Sequence, residues 1–120
     1  MSLQKLLAYQ KGFDLSMEIF EMSKTFPKEE KYSLTDQIRR SSRSTCANIA
    51  EAYRKRRYEK HFISKITDAE AENSETQVWL QFALACEYMS FEDEQKLKML
   101  SDEIGKLIQY MINNPGKFGV

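Results

Sequence analysis

The stretch YSLTDQIRRSSRSTCANIAEAYRKRR, residues 32–57, decides the fold. Leu34, Ile38, Ser41, Thr45, Ile49 and Ala52 recur at steps of three or four residues, which puts them on one face of an α-helix. Ser33 and Asp36 have the spacing of a capping box, with Leu34 as the first apolar helical residue. A helix is therefore expected over about residues 33–53. The middle of its inner face is small, with Ser41, Ser42, Ser44, Thr45, Cys46 and Ala47 in succession around it. Small side chains let helix backbones approach closely, and their hydroxyls need partners wherever they are buried.

Three more helices flank this one. Upstream, Leu3, Leu6, Gln10, Phe13, Met17 and Phe20 repeat at helical spacing, widened by Leu7 and Ile19, and predict a helix over about residues 3–25. Pro27 ends it, because proline disfavours the helical conformation in the residue before it. Downstream, Phe62, Ile66, Ala69, Asn73, Thr76, Leu80 and Ala83 predict a helix over about residues 58–89. Trp79, Phe82, Cys86 and Met89 form a second apolar stripe on it, and a helix that is apolar on two faces must bury both. The fourth helix, about residues 91–113, opens on the capping box Ser90–Asp93. It carries Leu97, Leu100, Ile104, Leu107 and Met111, with Ile108 and Ile112 beside them, and stops at Asn113-Asn114-Pro115-Gly116. Residues 117–120 are expected to be mobile.

Residues 54–61 contain neither Gly nor Pro, so periodicity alone would allow one helix through residues 33–89. Such a helix would be about 85 Å long at 1.5 Å per residue, more than one core can cover. A break is expected between Tyr53 and Tyr58. Short connections between four helices imply an antiparallel up-down-up-down bundle, an all-α fold occupying the whole chain as a single domain.

The 120 residues suffice for one domain that buries roughly two-thirds of its surface. With 42% hydrophobic and 30% charged residues the chain is neither disordered nor membrane-spanning. Four Gly and two Pro are too few turn-makers for a many-stranded β fold. No signal-peptide pattern opens the sequence, so a cytoplasmic location is expected. Cys46 and Cys86 lie in apolar helical segments and are expected as two buried thiols in a reducing compartment.

No reaction chemistry stands out. His61 is the one histidine, and one His with two distant Cys does not make a zinc site. The chain has no Gly-rich phosphate loop, no G-x-S-x-G and no H-E-x-x-H. Glu70 and Glu72 point in different directions on a helix, and a Glu72–Glu75 spacing is common on helical surfaces. The expectation is a protein without catalytic residues, metal or cofactor.

Charge is segregated along a chain whose 18 basic and 18 acidic residues cancel. Residues 39–65 hold nine basic residues, Arg39, Arg40, Arg43, Arg54, Lys55, Arg56, Arg57, Lys60 and Lys65, against Glu51 and Glu59. Residues 66–103 hold ten acids against Lys96 and Lys98. One reading is solvated charge, or mutual attraction of helices within the bundle. The other is a basic rim that neutralises phosphates, with Tyr53 and Tyr58 at hand for stacking.

The run Gln37-Ile38-Arg39-Arg40-Ser41-Ser42, then Ser44, then Ala47-Asn48-Ile49-Ala50-Glu51, resembles the hallmark of the four-helix-bundle proteins named after the intervening sequences of 23S rRNA. Phe26-Pro27, Glu29 or Glu30, and Tyr32 fit that family's linker, and Phe62, Glu72 and Leu80 fit its third helix. Ala52 stands where the family carries Gly, and Asp68-Ala69 where it carries a Gly-Ser pair. The resemblance implies a bundle that assembles as a ring, typically a homopentamer, with no catalytic site. A similar group, the accessory proteins of diversity-generating retroelements, implies a basic surface that works with nucleic acid and a protein partner.

Three residue sets follow. Arg39, Arg43, Arg54, Lys55, Arg56, Arg57 and Lys60 are candidates for contact with RNA or DNA. Gln37, Arg40, Ser44, Asn48, Glu51 and Glu72 are expected in a polar network at a helix or subunit contact, with Arg40 or Arg39 buried against Glu51 or Glu72 and Asn73 facing the same stripe. Trp79, Phe82, Cys86 and Met89 are the candidate oligomer interface. The functional expectation is a non-enzymatic oligomer associated with nucleic acid. The alternative is a scaffolding homo-oligomer that docks a protein partner without nucleic acid.

Overall fold

The computed structural model describes residues 2–120 as four α-helices and three short 3-10 turns, with no strand among them. The helices are α1 (Leu7–Ser23), α2 (Leu34–Arg54), α3 (Glu59–Ala85) and α4 (Phe91–Asn113). Each packs on its chain neighbours and α1 also packs on α4, which closes a four-helix bundle. None is long and apolar enough to cross a membrane.

The first helix starts later than its periodicity suggests. Leu3–Lys5 is a 3-10 turn, and Leu6 is extended with its side chain buried. The buried face of α1 is Ala8, Gly12, Leu15, Ile19 and Ser23. The expected stripe is displaced, for Phe13 and Met17 are 50% and 45% exposed. The cause is the small face of α2. A Cβ added at Gly12 would stand 3.1 Å from Cys46 Sγ, so α1 must present its own small residues there. Leu15 and Ile19 are buried beside them, while Phe13 and Met17 are left on the outside.

On α2 all six residues of the expected face are buried. The cap differs: Ser33 makes no side-chain capping bond. Glu30, in the preceding turn, takes that role. Its Oε1 accepts from the Ser33 hydroxyl and from the Leu34 N–H at 3.3 Å. Its Oε2 accepts from Tyr88 Oη at 2.8 Å, which ties this turn to the one between α3 and α4. The end of α2, without Gly or Pro, is made by Arg56. That side chain folds back so that Nε donates to the Tyr53 carbonyl at 2.7 Å and the guanidinium lies 3.7 Å from the Tyr53 ring centroid. A cation that satisfies a last-turn carbonyl also complements the helix dipole.

All seven residues of the main α3 stripe are buried. Ala52 and Ala69, at the two positions that depart from the resembled pattern, are fully buried and small enough for close packing. The helix stops at Ala85, short of the expected end. Glu87 takes a left-handed conformation (φ 61°), the Tyr88 N–H donates to Ala83 O and the Glu87 N–H to Leu84 O, each at 2.9 Å. This is a Schellman cap with Glu where Gly is usual. It carries Met89 off the helix, where it packs against the core edge and no longer continues the Trp79–Phe82 stripe. Cys86 at the cap is exposed, so only Cys46 is the buried thiol expected.

On α4 the Ser90 box forms, with Ser90 Oγ accepting from the Asp93 N–H at 3.1 Å. Leu97, Ile104, Ile108 and Met111 are buried, while Leu100 and Leu107 sit at the core margin. The expected mobile tail is docked. Pro115–Phe118 forms a 3-10 turn, the Phe118 ring meets Tyr110 edge-on at 6.0 Å, and the Phe118 carbonyl accepts from Arg56 Nη1 at 3.1 Å.

Hydroxyls and an amide stitch the core across helices. Thr76 Oγ1 bonds to Ser41 Oγ of α2 at 2.9 Å. Asn73 Nδ2 donates to the Ser101 carbonyl, and Ser101 Oγ donates to Asn73 Oδ1, both at 2.9 Å. Gln77 Nε2 extends the contact to Ser101 Oγ and Asp102. Asn73 thus faces α4 and does not join the polar stripe of α2. Burial of such groups is tolerated because each is paired.

Candidate nucleic-acid interface

The inner face of α2 is consumed by the core, so its charged residues lie on the outer face. Arg40, Arg43, Ala47, Ala50 and Arg54 recur there at helical spacing, and all three arginines are exposed. From Arg40 to Arg54 the face runs about 21 Å. Its first half borders a groove of about 550 Å³ lined by Lys31, Tyr32, Asp36, Arg39, Arg40 and Arg43. Tyr32 is 86% exposed, and Lys31 Nζ lies 5.3 Å from its ring centroid. Neither Lys31 nor Tyr32 was legible as a site residue from periodicity, because both precede the helix. The only available signal was a Lys-Tyr pair immediately before an arginine-rich helix.

The seven basic residues expected to meet nucleic acid divide by how their donors are used. Arg39 is half-buried: Nε donates to Ser23 Oγ at 2.7 Å, Nη2 to the Phe20 carbonyl at 3.4 Å, and the guanidinium lies 4.9 Å from the Phe20 ring centroid. It fastens α2 to the end of α1. Arg56 fastens the α2 terminus to the C-terminal turn, as above. Arg43 is exposed and flanks the same Phe20 ring at 5.8 Å. Arg54, Lys55, Arg57 and Lys60 are exposed at the turn between α2 and α3. Among the described residues the ion pairs are Lys11–Glu103, Lys24–Glu21, Lys65–Glu51, Lys65–Asp68 and Lys96–Glu18, so Arg40, Arg43, Arg54, Lys55, Arg57 and Lys60 form none.

The expected polar network is rearranged. Glu51 pairs with Lys65 of α3 at 2.7 Å, and the ammonium beside it holds the Glu51 carboxyl below its ordinary pKa. Asn48 Nδ2 donates to the Ser44 carbonyl one turn back, at 3.0 Å. Arg40 is exposed and not the buried partner of either glutamate. With Gln37, Ser41, Ser44, Glu72 and Glu75 it lines a polar cleft of about 180 Å³ between α2 and α3. Burial and the adjacent Glu75 push the Glu72 pKa up, against the pull of Arg40.

Beyond that cleft lies an aromatic groove of about 360 Å³, lined by Tyr32, Leu34, Gln37, Trp79, Phe82 and Cys86, with Glu30 at its rim. The rings of Trp79 and Phe82 are 5.8 Å apart at 39°, and Phe82 is 53% exposed. Trp79 Nε1 donates to Glu75 Oε1 at 3.1 Å. Three of the four candidate oligomer residues therefore sit together, and Met89 does not. His61 is exposed, its ring 5.5 Å from that of Tyr58. Among the described residues no three metal-ligating side chains converge.

A family described as 23S rRNA-intervening sequence protein matches residues 4–110. The chain belongs to this family. A crystal structure of a protein of unknown function from the S23 ribosomal protein family of Bacteroides thetaiotaomicron is similar, with a TM-score of 0.81 and 30% identity. The match covers 89% of this chain and 96% of that one. No curated protein matches. The family motif from Gln37 to Glu51 is thus the wall shared by the core, the polar cleft and the basic groove.

Proposed function

We propose that this member of the 23S rRNA-intervening sequence family is a non-enzymatic, nucleic-acid-associated accessory module that holds phosphates along the outer face of α2. The observation that carries the reading is the basic groove. Lys31, Arg40 and Arg43 face it with Asp36 as its one carboxylate, and none of the three cations is spent on an ion pair. Arg54, Lys55, Arg57 and Lys60 continue the positive zone past the helix end. Such contacts position a backbone without reading bases, so binding is broad in sequence and falls steeply with salt.

Residue pairings support the antiparallel up-down-up-down arrangement. Lys11 meets Glu103 while Glu18 meets Lys96, and Glu51 meets Lys65 while Ser41 meets Thr76. Numbers rise on one helix as they fall on its partner. The bundle associates with further copies, as a ring in the pattern the family resemblance implies, most simply a homopentamer. The exposed Phe13 and Met17 of α1 offer an apolar face for it. A cytoplasmic, reducing setting suits the two free thiols.

The second reading, a scaffolding oligomer that docks a protein partner, draws on the exposed Trp79–Phe82 groove. Titration of a mixed panel of RNA and DNA at low and moderate salt separates the two. The first reading expects binding that is weakened at least tenfold when Lys31, Arg40 and Arg43 are replaced together by Gln, with helicity unchanged. No binding by the parent at low salt would leave the protein-docking reading in its place. Light scattering tests the assembly: a mass several-fold above the 14.1 kDa chain is expected, and a monomer contradicts it.

A further inference from the structure

Two grooves of opposite character meet at one side chain. The basic groove and the aromatic groove both have Tyr32 in their walls. Tyr32 stands on the ridge between them, nearly fully exposed, where its ring contributes nothing to the core. On one side of it are Lys31, Arg40 and Arg43. On the other are the Trp79–Phe82 ring pair and Gln37.

We infer that the nucleic acid this surface takes is single-stranded, with its phosphates in the basic groove and an unpaired base laid over Tyr32 toward Trp79 and Phe82. This rests on the nucleic-acid reading above and adds the strand class to it. Geometry and charge both favour the single strand. A paired base in a duplex has both faces stacked and its edge bonded, so it is not free to reach an aromatic ring off the backbone. An exposed ring beside a cationic track is the arrangement that suits unpaired bases, because every base has a π-face. Charge sorts the two ends of the nucleotide. Glu30 at the rim of the aromatic groove repels phosphate, and its oxygens are already engaged by Ser33, Leu34 and Tyr88. Gln37 lines that groove with an amide able both to donate to and to accept from a base edge.

The test compares a short mixed-sequence single strand, as RNA and as DNA, with the blunt duplex of the same sequence. Affinity is read for the parent, for Tyr32→Ala and for Arg40→Gln/Arg43→Gln. Trp79 is the only tryptophan, so its emission reports on the aromatic groove directly. Tighter binding of the single strand is expected, with Trp79 emission changing for the single strand and not for the duplex. Tyr32→Ala should lose about tenfold for the single strand and leave the duplex unaffected. The arginine variant should weaken both. If the parent binds and the arginine variant does not, but Tyr32→Ala is silent or Trp79 emission stays constant at saturation, the inference is overturned and the phosphate-binding reading stands. If Phe82→Ala lowers the oligomer mass without altering strand preference, the aromatic groove belongs to a second copy and the inference is likewise overturned. If the parent binds no nucleic acid at low salt, both fall.

Discussion

Asn73 and Thr76 stand about one turn apart on α3 and bond to different neighbours, Asn73 to α4 and Thr76 to α2. Together they fix how the central helix sits between its partners. Asn73→Ala removes both bonds to Ser101 and is expected to cost about 2 kcal/mol, read from the denaturant midpoint. Asn73→Asp should cost more than the alanine, since a carboxylate oxygen would face the Ser101 carbonyl that the amide now serves. Equal stability of parent and Asn73→Ala would mean the pair contributes nothing. Periodicity alone placed these residues on the buried stripe, because Phe62, Ile66, Leu80 and the small residues between them keep strict helical spacing. It could not tell which helix each polar member would face. That depends on a few tens of degrees around the helix, which turn Asn73 toward Ser101 of α4 and away from the polar stripe of α2. Arg40 shows the converse error. A motif arginine beside two glutamates reads as a buried pair, yet Lys65 reaches Glu51 first.

At the scale of elements, the ends of α2 and α4 were legible to within a residue, and the start of α1 and the end of α3 were not. The α3 terminus turns on Glu87, a residue whose side chain is disfavoured at the left-handed φ it adopts. Glu87→Gly is expected to raise stability by about 1 kcal/mol, measured by urea unfolding. A loss of stability would show that the glutamate side chain makes up for the strain. The turns before α2 and after α3 are joined by Tyr88 and Glu30, and this clasp responds to pH at both limits. Glu30 is held below its ordinary carboxylate value by the Ser33 and Tyr88 hydroxyls, so its contribution is present above the unfolded pKa and is lost as pH falls through the folded one. The Tyr88 hydroxyl, facing that carboxylate, is pushed up to about 12. Its contribution is complete below the ordinary phenol value of 10.0 and is lost as pH rises toward the folded value. Tyr88→Phe should therefore be less stable than the parent at neutral pH, with the difference shrinking above pH 10. A difference that stays constant up to pH 12 would contradict the clasp. On α1 the strongest apolar signal pointed outward. The buried face mixes Leu15 and Ile19 with Ala8, Gly12 and Ser23, and the small members, such as Gly12 against Cys46, leave little trace in a hydrophobic pattern.

For the whole molecule, the division of charge was plain in the chain, but the division of labour among its arginines was not. Arg56 spends Nε on the Tyr53 carbonyl and Nη1 on a carbonyl 62 residues away, a pairing that no local pattern announces. Arg39 is similarly spent across the gap to α1. What remains is a set of cations on one outer face, proposed above to meet phosphate. The most direct measurement is the slope of log affinity against log salt for a single-stranded oligonucleotide. It is read for the parent, for Arg40→Gln/Arg43→Gln and for Arg56→Gln. Each phosphate contact contributes about −0.7 to the slope for a single strand. A steep parent slope is expected, flattening by about 1.4 when Arg40 and Arg43 are both replaced. Arg56→Gln is expected to leave the slope unchanged and to loosen the C-terminal turn. A parent slope near zero, or a slope that flattens for Arg56→Gln and not for the Arg40/Arg43 variant, would overturn phosphate contact by this face.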